Sequence, residues 1–316
     1  MMKIGFLFPG QGAQFSGMGK DLYEKYDCVK NIYDKVSEIT GINISEISFS
    51  ENDERINETK YTQLCVLTMS LGILEVLKQN NIKADISAGL SLGEYTALIY
   101  SNLFSLEDGI ETVEKRGKYM SELVPEGNWK MAAILGLSDD IVEDVCQKVK
   151  SGFVVPVNYN CTGQVAISGE ENAVEEAGII AKENGAKKVV ILNTSGPFHT
   201  EKLQNSAYAL EKDLKNISFN KMSTKVVKNL DGNFYADTDD YVQILVNHMI
   251  NPVRFSKCIN TMIDNGIDTF IEVGPGKTLS GFVKRMKGDK NINILNITDI
   301  ESLEKTINFV KENENE

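Results

Sequence analysis

One serine and two histidines set the chemistry this chain can attempt. A single Gly-x-Ser-x-Gly occurs, Gly89-Leu90-Ser91-Leu92-Gly93, inside "DISAGLSLGEYTAL". A serine hydroxyl is a weak nucleophile until a base takes its proton, and no histidine stands beside Ser91. The whole chain has only His199 and His248. If an imidazole activates Ser91, it is one of these two, brought in from far along the chain. The alternative for Ser91 is a residue that merely helps a turn.

His199 lies in "NTSGPFHTEKL", in a turn with Gly196 and Pro197. That turn follows the last strand of a predicted small subdomain, and junctions between subdomains favour clefts. His248 lies in "ILVNHMINPVRF", near the end of a predicted helix before Asn251-Pro252. It reads as helix-terminal, exposed or capping. Loops on a rigid scaffold carry more chemistry, so His199 is the favoured base, against an ordinary loop histidine. No Asp or Glu stands out as its partner, and a backbone carbonyl could orient the ring instead.

Arg116 is the third candidate. On a helix predicted for 106–124 the apolar stripe is Ile110, Val113, Gly117, Met120, Leu123 and Val124, and Arg116 falls inside it. A buried guanidinium needs a partner and suits a carboxylate. Either it makes a structural ion pair or snorkels to the surface, or it receives a substrate carboxylate.

Strand, tight turn and helix must present Ser91, and the sequence supplies them as "ADISAGL", the elbow and "LGEYTALIY". "KIGFLF" (3–8) is a buried-type strand and 62–79 has helical spacing. Ser105 with Asp108 forms a capping box, and Pro125 and Gly127 stop the following helix near Val124. From "WKMAAILGL" to "AKKVVILNT" the order is β-α-β-β-α-β, the ferredoxin-like pattern. Later segments, from "TKVVKNL" to "SLEKTINFVK", alternate strand and helix, which implies a mostly parallel sheet covered on both faces. The expected fold is α/β. An α/β-hydrolase-like large subdomain (1–127 and 198–316) carries an inserted ferredoxin-like small one (128–197), and "ENENE" is a frayed acidic tail.

Composition narrows the partners. The chain has 316 residues and is 42% hydrophobic and 25% charged, ordinary for a globular protein. A net charge of −12 argues against nucleic-acid binding and means that an acidic partner needs a local basic patch. Lys187-Lys188 and Lys284, Arg285 and Lys287 are candidates, against a reading as ordinary solvated charges. The five cysteines show no Cys-x-x-Cys pair and read as reduced thiols. "MMKIGFLFPGQG" breaks at Pro9 and Gly10, too soon for a signal or spanning segment. A cytoplasmic, soluble protein that makes no membrane contact is expected. Two glycine loops fail as nucleotide motifs. "GQGAQF" has Phe15 where a third glycine belongs, and "IEVGPGKT" has Ile271 where a phosphate loop begins. No cofactor and no metal is expected, although both loops can bring backbone amides close to a substrate.

Seven motifs together are more specific than any one: "FPGQGAQFSGMG", "AGLSLGEYTAL", "RGKYM", "NYNCTGQVAISG", "SGPFH", "NPVRF" and "EVGPGKTL". In this order they resemble the malonyl-CoA:acyl-carrier-protein transacylases of bacterial fatty-acid synthesis and the acyltransferase domains of polyketide synthases. The resemblance implies malonyl-CoA and acyl carrier protein as partners, and a monomer. It implies Ser91 as the acylated nucleophile and His199 as its base. Backbone amides of Gln11 and Leu92 would form the oxyanion hole, and Arg116 would hold the malonyl carboxylate. Phe198 matches the malonyl-type signature. Two positions depart from the pattern. Leu90 stands where the family usually has His, and His248 where it often has Gln, whose main-chain carbonyl accepts from the catalytic imidazole. Competing readings are a serine hydrolase or thioesterase, which Arg116 disfavours, a non-catalytic acyl-binding protein, and a free-standing polyketide acyltransferase.

Overall fold

The computed structural model describes residues 2–192, 194 and 196–313. Its strands are β1 (Ile4–Phe8), β2 (Ile86–Gly89), β3 (Trp129–Leu135), β4 (Val154–Cys161), β5 (Gln164–Glu170), β6 (Lys188–Leu192), β7 (Lys225–Val226), β8 (Thr269–Val273) and β9 (Asn293–Ile297). Five of them form a parallel sheet in the order β7-β2-β1-β8-β9, and four form an antiparallel sheet in the order β4-β5-β3-β6. The chain is therefore α/β, with a mostly parallel central sheet and a small antiparallel one.

The three inner strands of the central sheet, β2, β1 and β8, are buried on both faces, as helix-covered parallel sheets are. All five residues of β1 are buried. Successive side chains point to opposite faces: Phe6 and Phe8 join the core around the helix Thr59–Gln79, while Leu7 joins Phe255, Ile259 and Met262 on the other side. Thr59–Gln79 is apolar nearly all round and buried along almost its whole length, which suits a helix enclosed by others. Ser105 caps the next long helix, Leu106–Glu122, by accepting the Asp108 N–H at 3.0 Å. That helix ends two residues before Val124, and Leu123 is 38% exposed, outside the buried stripe expected for it.

The small sheet works with one wet edge and two unlike faces. Ala132, Ile134, Val165 and Ile167 pack against Val142 and Val174 of the helices Asp139–Lys148 and Glu171–Glu183. The alternate residues Met131, Ala133 and Ala166 face away from those helices. Bonds from Tyr159 N to Val253 O and from Val253 N to Val157 O, each 2.8 Å, tie β4 to the loop that precedes the helix Phe255–Asp264. Of the last predicted strand of this unit, Asn193 lies outside the described residues, as do 314–316 of the predicted tail. "TKVVKNL" was expected as a full strand but pairs for only two residues, Lys225–Val226, after which the chain turns under the end of β2.

Gly89 and Gly93 are required by close approach. A Cβ on Gly89 would overlap the Gly93 backbone, and one on Gly93 would overlap the Phe8 and Pro9 carbonyls. Gly93→Ala should therefore lower stability by about 2 kcal/mol or more. Gly281, in the exposed part of the helix Thr278–Met286, would carry a Cβ that meets nothing within 4 Å, so Gly281→Ala should raise stability by up to ~1 kcal/mol. Thermal melts of both variants, shifting in opposite directions, check this.

Candidate functional site

The turn from β2 to the helix Leu92–Tyr100 places Ser91 at φ 53° and ψ −102°, a conformation that a side chain seldom adopts. Such backbones cost about 1–3 kcal/mol and persist only where the surroundings over-determine them. Here Asn229 does so. Its Oδ1 accepts the Ser91 N–H at 2.8 Å, and its Nδ2 donates to Gly89 O at 2.7 Å. Gly10 packs its backbone against Leu90 O and lies close to Leu92 N. This brings Gln11 to the elbow, and both residues line the same cleft as Ser91. Among the described residues neither the Gln11 nor the Leu92 backbone N–H bonds to another protein group. The Gln11 side chain donates to Thr59 Oγ1 at 2.9 Å.

The structure brings Ser91, His199 and Arg116 together. Ser91 Oγ and His199 Nε2 are 2.7 Å apart. His199 Nδ1 lies 2.9 Å from the main-chain oxygen of His248. A carbonyl can only accept, so that contact assigns the Nδ1–H tautomer and leaves Nε2 free to accept from the serine. No carboxylate is needed to orient the ring. Burial pushes His199 down to about 4, with the Arg116 charge adding to the effect. At neutral pH it is an unprotonated base.

Arg116 is almost completely buried. Nη1 donates to Gln63 Oε1 at 2.6 Å and Nη2 to Ser91 Oγ at 3.0 Å, while the Tyr95 ring lies 5.1 Å from the guanidinium carbon. Its Nε has no protein partner. None of the ion pairs among the described residues includes Arg116. The structural ion pair weighed from sequence is absent, and the surface is not reached. A cation that costs several kcal/mol to desolvate is held by neutral groups beside Ser91.

His248 corrects an expectation. Far from exposed or capping, it is fully buried, and neither ring nitrogen makes a hydrogen bond. Its Nε2 faces Glu94 Oε2 at 3.5 Å. The cleft over these groups has a volume of about 470 Å³. Its floor is the elbow and the loop Gly10–Gln14, and its roof is the helix-free face of the small sheet, with Met131, Asn160 and Ala166. It opens at the carboxyl ends of the parallel strands, the usual place for a site in such sheets. The two glycine loops meet there, since Gly276 packs near Ala13 and Thr278 lines the wall. Leu90 and Phe198 line the same space.

Of the two basic clusters, Arg285 stands beside the cleft, donating to the lining residue Gln164 at 2.8 Å. Lys188 is at the far end of β6 from Ile191 and Leu192, which line the cleft, roughly 10 Å along the strand. Sequence reasoning missed Gln63, Glu94 and Asn229. Gln63 and Glu94 carried a signal, each a polar residue within an apolar helix, the same signal that singled out Arg116. Asn229 carried none. Among the described residues no cluster of His, Cys, Asp and Glu could hold a metal ion, and no helix is long and apolar enough to cross a membrane.

Residues 5–299 match the acyl transferase domain. The malonyl CoA-acyl carrier protein transacylase of Bacillus subtilis (strain 168) is 40% identical over 314 residues, covering 99% of this chain and 98% of the relative. The crystal structure of the malonyl CoA-acyl carrier protein transacylase from Clostridium perfringens superposes with a TM-score of 0.93 at 42% identity, over 99% of this chain and 98% of that one. A malonyl-transacylase solved in complex with its type II polyketide acyl-carrier protein gives a TM-score of 0.92 at 32% identity, over 97% and 99%.

The site itself yields a pH prediction. If His199 serves Ser91 as a base it works unprotonated, so reactivity of Ser91 is present above the His199 pKa and is lost as pH falls through it. Labelling of Ser91 by a fluorophosphonate should hold as pH drops through the ordinary histidine value of 6.5 and fall only towards about 4. Half-loss near 6.5 that persists in Glu94→Gln, which removes the neighbouring carboxyl that burial raises to about 7, would show a base that is solvent-exposed and not His199 as placed here.

Proposed function

The chain belongs to the malonyl CoA-acyl carrier protein transacylase family, and from that premise we propose that it moves a malonyl group from malonyl-CoA to the phosphopantetheine thiol of an acyl carrier protein, in fatty-acid synthesis. The observation that carries the substrate choice is Arg116, a buried guanidinium with no carboxylate partner among the described residues, 3.0 Å from Ser91 Oγ. An acyl group with a free carboxylate, once joined to Ser91, supplies the anion at that position.

The reaction runs in two half-steps. His199 Nε2 takes the Ser91 proton while Oγ attacks the thioester carbonyl. The carbon–sulfur bond breaks, and the proton passes to the departing sulfur of coenzyme A. The carrier's thiol then gives its proton to Nε2 and attacks the malonyl ester, and Ser91 Oγ leaves and is reprotonated. The backbone amides of Gln11 and Leu92 stabilise the tetrahedral oxyanion in both halves, each worth ~10²–10³-fold. Gln11 lines the cleft, Leu92 directly follows the cleft-lining Ser91, and neither backbone N–H has a protein acceptor among the described residues, which supports that role. The His248 carbonyl keeps the imidazole in the tautomer both halves need. Leu90 gives the cleft an apolar wall where the family usually has a second imidazole.

The acyl carrier protein is acidic in the proposed pairing, so its docking needs local positive charge. Arg285, with Lys284 and Lys287 on the same stretch, is favoured over Lys187-Lys188 because it borders the cleft.

Two measurements test the reading. Intact mass after mixing with malonyl-CoA should show a malonyl adduct that is lost in Ser91→Ala; a stable adduct on that variant would remove the nucleophile assignment. Arg116→Ala should lower malonyl transfer by ~10²-fold or more and acetyl transfer far less, read as kcat/KM for each donor. Equal losses would make Arg116 structural.

A further inference from the structure

We propose that Glu94 is a positioning residue for this acyl transfer, one carboxyl that ties the seat of the nucleophile to the seat of the base. The proposal rests on the function proposed above. Glu94 touches neither Ser91 Oγ nor His199, and no step of the reaction calls on it. Yet it is fully buried in the first turn of the helix Leu92–Tyr100, where an apolar residue would avoid the cost of desolvating a carboxylate.

One of its bonds runs to the residue that clamps the elbow, and it packs against the residue whose carbonyl holds His199. Oε2 accepts the Asn229 N–H at 3.2 Å, and Asn229 in turn clamps the elbow on both sides of Leu90, at Ser91 N and Gly89 O. The same oxygen faces His248 Nε2 at 3.5 Å, and the His248 carbonyl holds His199 Nδ1. Oε1 accepts the Tyr235 O–H at 2.5 Å, which fixes the carboxyl plane. The strained turn at Ser91 and the left-handed turn at His199 (φ 59°) are thus braced against one group.

The electrostatic setting agrees with a group kept for its bonds. Burial pushes Glu94 up to about 7, against the Tyr235 and Asn229 hydrogen bonds and the Arg116 charge, with Asp231 pushing the same way as burial. Around it stand Tyr95 on its own helix, Arg116, and Tyr235 and Asp231 from the loop after β7. His248, which burial lowers, faces it from the helix Tyr241–Ile250, and Cys258, which burial raises, from the helix Phe255–Asp264. Arg116 lowers His199 and His248 alike.

Two donors share this carboxylate, and an amide offers only one acceptor oxygen. Glu94→Gln is nearly the same shape but turns one of these two acceptors into a donor, so either the Asn229 N–H loses its acceptor or the Tyr235 hydroxyl must turn round to accept. The expected result is a fall in kcat of about 10- to 100-fold, the scale of a small misplacement of reacting groups. KM for malonyl-CoA should stay within about threefold, because Gln63 and Arg116 are untouched. Fluorophosphonate labelling of Ser91 should slow in step. Adding Glu94→Gln to Asn229→Ala should cost much less than it does alone, since the two share one tie. Should Glu94→Gln fold poorly, Tyr235→Phe loosens the same carboxyl and should lower kcat with KM unchanged. Wild-type kcat and labelling in a folded variant with only a lowered melting point would overturn the proposal, as would additive losses in the double variant. Absence of a malonyl-Ser91 adduct in the unaltered enzyme would instead overturn the function it rests on.

Discussion

The site depends on a backbone that a serine does not willingly adopt. At φ 53° and ψ −102° Ser91 is aimed into the cleft and away from the helix it starts. The turn exists because Gly89 and Gly93 let two pieces of backbone nearly touch, and because Gly10 lets the end of β1 lie against the elbow. That contact also delivers Gln11, so the proposed nucleophile and the proposed oxyanion donors are set by one packing event. The inner strands of the parallel sheet behind them, buried on both faces, supply the stiffness that keeps the strain from relaxing.

Electrostatics then divides the work. Dry surroundings hold His199 neutral, and Arg116 nearby lowers it further. The same cation is the proposed seat of the malonyl carboxylate. A docked carboxylate offsets that charge, so in the proposed reaction the substrate's arrival makes the imidazole more basic at the moment it must take a proton. A neutral acyl group brings no such compensation and leaves the cation uncompensated in low dielectric. Binding selectivity and reactivity are coupled through one side chain.

Much of this was legible in the sequence, and the reasons are local. Ser91 announces itself by strand, turn and helix within a few residues, and two histidines leave little choice of base. Arg116 shows because helical periodicity puts a charge among apolar residues. Leu123 misleads for the converse reason: it continues the period, but the helix ends first. His248 looked exposed because a helix end reads as surface until tertiary packing buries it against Tyr95 and Glu94. Asn229 is an ordinary polar residue in a loop, and its two bonds reach 138 and 140 residues back along the chain. Nothing within a local window encodes that. "TKVVKNL" reads as a strand on β-propensity alone, yet it leaves the sheet edge early, and that departure is what carries Asn229 beneath the elbow.

The small sheet follows the same logic at larger scale. Alternation along β3 and β5 sends one set of side chains to its own helices and the other over the cleft. Its attachment at Val253 comes five positions after His248, so the loop that pins the roof continues directly from the helix end whose carbonyl orients the base. A transferase must admit two bulky thiol carriers in turn and exclude water from the ester between them. One short stretch of chain, from His248 to Val253, thus fixes both the small sheet over the cleft and the carbonyl that holds the imidazole.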